Sequence, residues 1–139
     1  MKITRAGSVK EARALFKYLN VCHDASLRKL AVKKQREMEE DGSLIYPDVD
    51  SADFVLCDIE MELILNSYEG AKIDQIVRLQ FERVRQFMLR QDSQHDFSDV
   101  YAVAVEDEGS SNIHIVCYAT KDRIVVVDLF CDSLVCKEL

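Results

Sequence analysis

Carboxylates supply the first candidate chemistry. Asp48, Asp50, Asp53, Asp58, Glu60 and Glu62 fall within fifteen residues just after the chain's one proline, Pro47. An ordered array of this kind imitates the charge of a nucleic-acid backbone. It would fit the basic groove of a nuclease or another nucleic-acid-binding protein, with complementarity speeding the encounter and excluding other acidic partners. A second group, Asp92, His95, Asp96 and Asp99, offers oxygen and nitrogen donors within eight residues. Such donors suit a hard divalent ion, but the spacing matches no established metal motif, and Asp and His also serve turns and solubility in polar connections. Cys22, His23 and Asp24 are adjacent, whereas a nucleophilic triad is an arrangement in space, so the run is not diagnostic.

Other catalytic signatures are missing from the sequence. It contains no nucleophile elbow, no zinc-protease helix motif, no phosphate loop, no dinucleotide fingerprint and no paired C-x-x-C. The five cysteines, Cys22, Cys57, Cys117, Cys131 and Cys136, leave an odd thiol under any full pairing. Three of them (Cys57, Cys117, Cys131) sit in apolar stretches, where a reduced Cys packs as a small hydrophobe. No cofactor is expected.

The elements that must position these residues are punctuated by Gly7, Gly42, Pro47, Gly70 and Gly109. Ser8 and Glu11 form a capping box, with Ser8 accepting the Glu11 amide and the Glu11 carboxylate returning to the Ser8 amide. Val9, Ala12, Leu15, Phe16 and Leu19 then predict a helix over about 9–20. A second helix is predicted over about 25–41, with Leu27, Leu30, Ala31 and Met38 as a thin stripe. Residues 52–69 fit both templates. Val55, Cys57, Ile59, Met61, Leu63 and Leu65 alternate, while Phe54, Cys57, Met61, Ile64 and Tyr68 make a helical stripe. Length favours helix. A fourth helix is predicted over about 71–92 from Ile73, Ile76, Val77, Phe81, Val84, Phe87 and Met88. The period then drops to two, and about 100–106, 112–119 and 123–131 read as a three-stranded antiparallel meander. The expected fold is therefore α+β, a single domain spanning 1–139, with N-terminal helices covering one face of the meander. Val100–Val105 is apolar on both faces, so something must also cover the other sheet face: the first helices, a second copy of the chain, or a target protein.

Composition bounds the class. In 139 residues, 48% are apolar and 31% charged, with four Gly and one Pro, which excludes disordered, collagen-like and disulfide-miniprotein classes. No stretch is long and apolar enough for a membrane helix or a signal core, so the expectation is a cytoplasmic protein that does not bind membranes. The net charge of −7 hides a segregation. Residues 1–36 carry ten Lys/Arg against two Asp/Glu, residues 37–74 one against twelve, and the remainder seven against eleven. Such asymmetry marks a charged partner, or two blocks that face and neutralise each other. The acidic total and the lack of aromatics interleaved with the basic block argue against direct nucleic-acid binding.

The expected function is a non-catalytic protein-binding module of inhibitor or immunity type, presenting Asp48, Asp50, Asp53, Asp58, Glu60 and Glu62 to a basic protein partner. A small acidic α+β domain is similar in composition to bacterial immunity and inhibitor proteins. The alternatives are a homo-oligomeric structural or regulatory subunit, dimerising through the sheet face, and a metal-dependent hydrolase using the His95 loop.

Overall fold

The structure, a computed structural model, describes residues 2–34, 37–45, 56–65, 75–94, 96–107 and 112–139. Its element order is β1 (Lys2–Ala6), α1 (Val9–Tyr18), a short 3-10 turn (Asn20–Cys22), β2 (Ala25–Lys34), β3 (Glu37–Met38), β4 (Leu44–Ile45), β5 (Cys57–Leu65), β6 (Gln75–Val84), β7 (Gln86–Leu89), β8 (Asp99–Val100), β9 (Ala102–Glu106), β10 (Ile113–Tyr118), β11 (Val125–Cys131) and β12 (Ser133–Glu138). All strand pairings among the described residues are antiparallel.

This architecture overturns the α+β expectation: the fold is mainly β, with one α-helix among the described residues. The helix expected over 9–20 is present as α1. There the Glu11 amide donates to Ser8 Oγ at 3.1 Å, and the Glu11 carboxylate takes the Ser8 hydroxyl at 3.2 Å. The helices expected over 25–41, 52–69 and 71–92 are replaced by strands β2 and β3, β5, and β6 and β7. The meander expected over 100–106, 112–119 and 123–131 exists as β8 with β9, β10 and β11, but as part of a larger sheet system.

One sheet runs β1-β12-β6-β5-β2-β8, a second β7-β11-β10-β9, and β3 with β4 makes a separate hairpin. At three places one strand follows another across from one large sheet to the other with a single residue between them: β6 into β7, β8 into β9, and β11 into β12. Followed through these crossings, the pairings close a ring: β2 to β5, β6/β7, β11/β12, β10, β8/β9 and back to β2, with β1 added outside β12. Two three-stranded meanders thus join edge to edge, and the corners lie where strands change sheets, as in orthogonal sheet packing.

The corners have identifiable causes. Arg83 takes a left-handed φ of 56° at the end of β6, and its amide donates to Asp58 Oδ1 at 3.1 Å. The Arg83 guanidinium binds Asp132 at 2.8 Å between β11 and β12, and Arg85 lies 3.6 Å from the same carboxylate. Tyr101 makes the third corner, its carbonyl accepting from the Asp24 amide at 3.0 Å and its amide donating to Tyr118 O at 2.7 Å.

Inward-pointing residues fill the ring as a core. Across the six-stranded sheet, Ala6, Leu134, Phe81 and Ile59 lie in one row, and Cys136, Leu79 and Met61 in the next. Their partners from the second sheet are Ile113, Ile115, Cys117, Val127 and Leu129, and α1 contributes Ala12, Leu15 and Phe16 to the same cluster. On β9 the outward residues are small. Tyr118 is the register partner of Ala102, and its hydroxyl reaches Glu106 at 3.2 Å, so the ring runs along Ala104. The outward residues Ala102, Ala104 and Glu106 are half-buried.

The cysteines follow the same core. All five are free, and Cys22, Cys117, Cys131 and Cys136 are buried. Burial pushes the thiols of Cys117 and Cys131 up to about 12 and that of Cys136 to about 11, and raises Cys22 further, with the neighbouring Cys117 and Cys136 adding to it. Cys57 is half-buried. Burial raises the Cys57 thiol as well, but its access to solvent decides the order: a thiolate-seeking reagent at pH 8 is expected to modify this one thiol per native chain in the faster phase and the other four only after unfolding. Cys57→Ser should remove the fast phase; a fast phase that survives this substitution would place the accessible thiol elsewhere.

Candidate functional site

The outer face of the six-stranded sheet is where the sequence's two charge blocks meet. Pairing of β2 with β5 sets Lys29 opposite Glu62, Ala31 opposite Glu60, and Lys33 opposite Asp58. A bulge between Leu27 and Lys29 inserts Arg28 as an extra residue, and a bulged residue is re-aimed relative to the regular pleat. Arg28 Nε therefore reaches Glu62 Oε2 at 2.9 Å. From the other side, β6 places Arg78 opposite Glu62. Arg78 Nη2 and Nε donate to Glu62 Oε1 at 2.8 and 3.1 Å. Each Glu62 oxygen thus has its own arginine.

Glu60 is held by reach rather than by register. Its opposite residue on β2 is the small Ala31, which leaves room for Lys29 and Lys33 to approach diagonally, at 3.2 and 3.7 Å. Arg78 Nε lies 3.8 Å from Glu60. Four cations therefore surround two carboxylates. The side chains of Glu60 and Glu62 keep 10% and 6% of their surface, while Arg28, Lys29 and Lys33 keep 47%, 53% and 60%. Solvent meets the cations first.

The electrostatics agree with the geometry. Hydrogen bonds from Arg78 and then Arg28 hold the Glu62 carboxyl below the ordinary glutamate range. Burial works to raise Glu60, but the Lys29 hydrogen bond and the charges of Lys33, Lys29 and Arg78 together outweigh it, so Glu60 is also lowered. The Arg78 guanidinium is in turn raised by its hydrogen bond to Glu62. A cluster so paired is preorganised, because its side chains are fixed before any partner arrives.

The remaining residues singled out by sequence are dispersed. Asp58 accepts the Arg83 amide at the corner of β6. Asp48, Asp50, Asp53 and His95 lie outside the described residues. Asp92 accepts the Gln94 amide at 2.8 Å and pairs with Arg90 at 3.0 Å. Asp96 accepts the Ser98 amide at 2.8 Å, which holds its carboxyl below the usual range, and Asp99 sits on β8 opposite Ser26. These are turn and strand roles, and among the described residues no three or more His, Cys, Asp or Glu side chains gather as a metal site. Sequence reasoning left open whether the basic and acidic blocks face each other; the bulge at Arg28 and the identity of β2 as a strand are what bring them together.

Among the described residues no helix is long and apolar enough to cross a membrane. No family model, no curated protein and no solved structure matches this chain.

Proposed function

We propose that the chain is a non-catalytic protein-binding module of inhibitor or immunity type, docking through the charged outer face of the six-stranded sheet. The observation that supports this reading is the preorganised cluster of Arg28, Lys29, Lys33 and Arg78 around the near-buried Glu60 and Glu62. The internal carboxylates fix the cations, and the cations stand outermost, so the fitting partner carries carboxylates on its own docking surface. This is the opposite sign from the basic partner that the acidic stretch suggests. Five free thiols, four of them buried, suit a reducing compartment, and the proposed place of action is the cytoplasm.

Affinity capture from the native host, followed by mass measurement of the complex and kinetics on the isolated pair, tests the reading. A stoichiometric complex is expected, with association slowing as salt rises. The chain carrying Lys29→Glu and Lys33→Glu should bind at least about tenfold more weakly, and Asp50→Lys with Asp53→Lys should bind as wild type. The reverse pattern would return the docking surface to the acidic stretch.

A specific observation favours a second reading, a homo-oligomer. β7 ends the four-stranded sheet, and its Phe87, Met88 and Leu89 are 36%, 46% and 39% exposed. Apolar end strands invite pairing with another copy. A dimer mass in light scattering that Met88→Lys converts to a monomer supports this arrangement; a monomer at all concentrations excludes it.

A further inference from the structure

The strand β7 is complementary to itself, in backbone and in side chains. We infer that it pairs antiparallel with β7 of a second copy of the chain about a two-fold axis at Met88, and that each copy's Arg90 enters a groove on the other and binds Asp128. This assignment rests on the homo-oligomer reading above, to which it adds a strand register and a contact that each copy supplies to the other.

The backbone comes first. Among the described residues β11 is the one strand beside β7, and Gln86, Phe87, Met88 and Leu89 are all exposed. The Arg90 amide donates to Val126 O at 2.8 Å. Backbone groups alternate along a strand, so Gln86 and Met88 likewise turn theirs to β11, while Phe87 and Leu89 turn theirs to the open edge. No hydrogen bond among the described residues takes those outward amides and carbonyls. Laying Phe87 against Leu89 of a second copy, and Leu89 against its Phe87, satisfies all of them at once. Met88 then faces Met88 across the axis as a non-hydrogen-bonded pair, with Cα atoms about 4.5 Å apart.

The side chains agree with that register. Phe87 and Leu89 lie opposite Leu129 and Val127, both buried, so they continue the core-facing side of the sheet past its last strand. In the paired arrangement the second copy's Leu89 extends the row of Leu129 and Phe87, and its Phe87 extends the row of Val127 and Leu89. Arg90 falls opposite Gln86, so no like charges are opposed. A register shifted by two residues would instead set Met88 opposite Gln86 and Leu89 opposite Arg85, losing two of the apolar pairs.

On the outward face a groove of about 290 Å³ lies beside Met88, lined by Gln86, Phe87, Met88, Asp128 and Phe130. Its carboxylate is held in place: Asp128 Oδ1 meets His114 Nε2 at 2.7 Å, and the His114 ring stacks on Phe130 with centroids 4.0 Å apart. Asp128 lies opposite Met88, one diagonal step from Gln86, and Gln86 is where the second copy's Arg90 arrives. Within its own chain Arg90 gives Nε to Asp92 at 3.0 Å. The Nη donors of the guanidinium are then directed to Asp128 Oδ2 of the other copy. Charge complementarity thus selects a strand with a base two residues past its apolar centre, and β7 with Arg90 is such a strand.

The test uses the full chain carrying Cys57→Ser, so that one accessible thiol can be placed on β7. Treated with the thiol oxidant diamide, Met88→Cys in that background is expected to form a covalent dimer at least about tenfold faster than Phe87→Cys or Leu89→Cys, because only position 88 faces its own copy at a separation a disulfide spans. Sedimentation of chains without an added cysteine gives a second readout. Arg90→Glu and Asp128→Lys should each weaken the dimer at least about tenfold, and the chain carrying both should recover to within about threefold of the native affinity. A chain that stays monomeric to millimolar concentration fails the homo-oligomer reading and this register together. A dimer that cross-links fastest at position 87 or 89, that is indifferent to either charge reversal, or that shows no recovery in the double variant keeps the homo-oligomer reading and overturns the inference.

Discussion

Phe81→Ala is expected to lower the unfolding free energy by about 3–5 kcal/mol, the range for removing a fully buried aromatic ring. Phe81 is 1% exposed and lies in register between Ile59 and Leu134, each fully buried. These three side chains come from three adjacent inner strands of the six-stranded sheet, β12, β6 and β5, so no neighbour can collapse into the vacated volume without moving a strand. A domain of ordinary stability, about 5–15 kcal/mol, would lose a large share of it. Urea denaturation at pH 7 measures the effect, with Ile59→Val as a reference expected to cost about 0.5–1.5 kcal/mol. A loss for Phe81→Ala no larger than that reference would mean that the ring is not packed between these strands.

Arg78→Leu should produce the second large effect, and its size should depend on pH. Arg78 is shared by Glu60 and Glu62, so its removal leaves two carboxylates, close together on one face, with less compensation. In the native chain both are held below the ordinary glutamate value of about 4.3. A carboxyl lowered on folding contributes stability that is complete above its unfolded value and is lost as pH falls through the folded one. The substitution therefore removes stabilisation at pH 7 and progressively less of it as pH falls below the unfolded glutamate value. A fall in Tm of about 5–10 °C at neutral pH is expected, narrowing steadily below pH 4. Arg78→Lys should recover only part, because a lysine cannot present the forked donors that Glu62 engages. Equal Tm losses at pH 3 and pH 7 would show that Arg78 acts through packing of its stem instead.

Why three strand regions resemble helices in the sequence follows from the same corners and bulges. On β6, Val77, Leu79 and Phe81 alternate inward, but the left-handed Arg83 shifts the phase by one residue before Val84. The resulting 77, 81, 84, 88 spacing matches a helical stripe. On β2, the extra residue Arg28 separates the inward Leu27 and Leu30 by three rather than two, which again imitates a helix. β5 contains no such interruption within Ile59–Leu65, and its alternation was legible; its good helix formers and the length of the apolar stretch outweighed it. The C-terminal strands were readable because Val and Ile dominate them, and α1 because its cap is local. β1 and β12 gave little signal, being short and dependent on each other for pairing.

The candidate site was legible only in part. Charge segregation pointed to Glu60 and Glu62, and mutual neutralisation by the basic block was one of its two readings. It could not show which cations do so, because the contacts of Arg28, Lys29 and Lys33 depend on a strand register that crosses about thirty residues of chain.

The placement of β12 constrains the order in which this molecule can assemble. β12, the last of the described strands, lies between β1 and β6, so β1 acquires its sheet partner only when Ser133–Glu138 is available. During synthesis, α1 can coil early from local signals, yet the sheet beside it stays open until Ser133–Glu138 emerges. Such distant pairing slows folding. It also makes the newly made chain dependent on a distant segment, so that an apolar row including Ala6, Phe81 and Ile59 is exposed to chaperones and to other nascent chains until β12 is inserted.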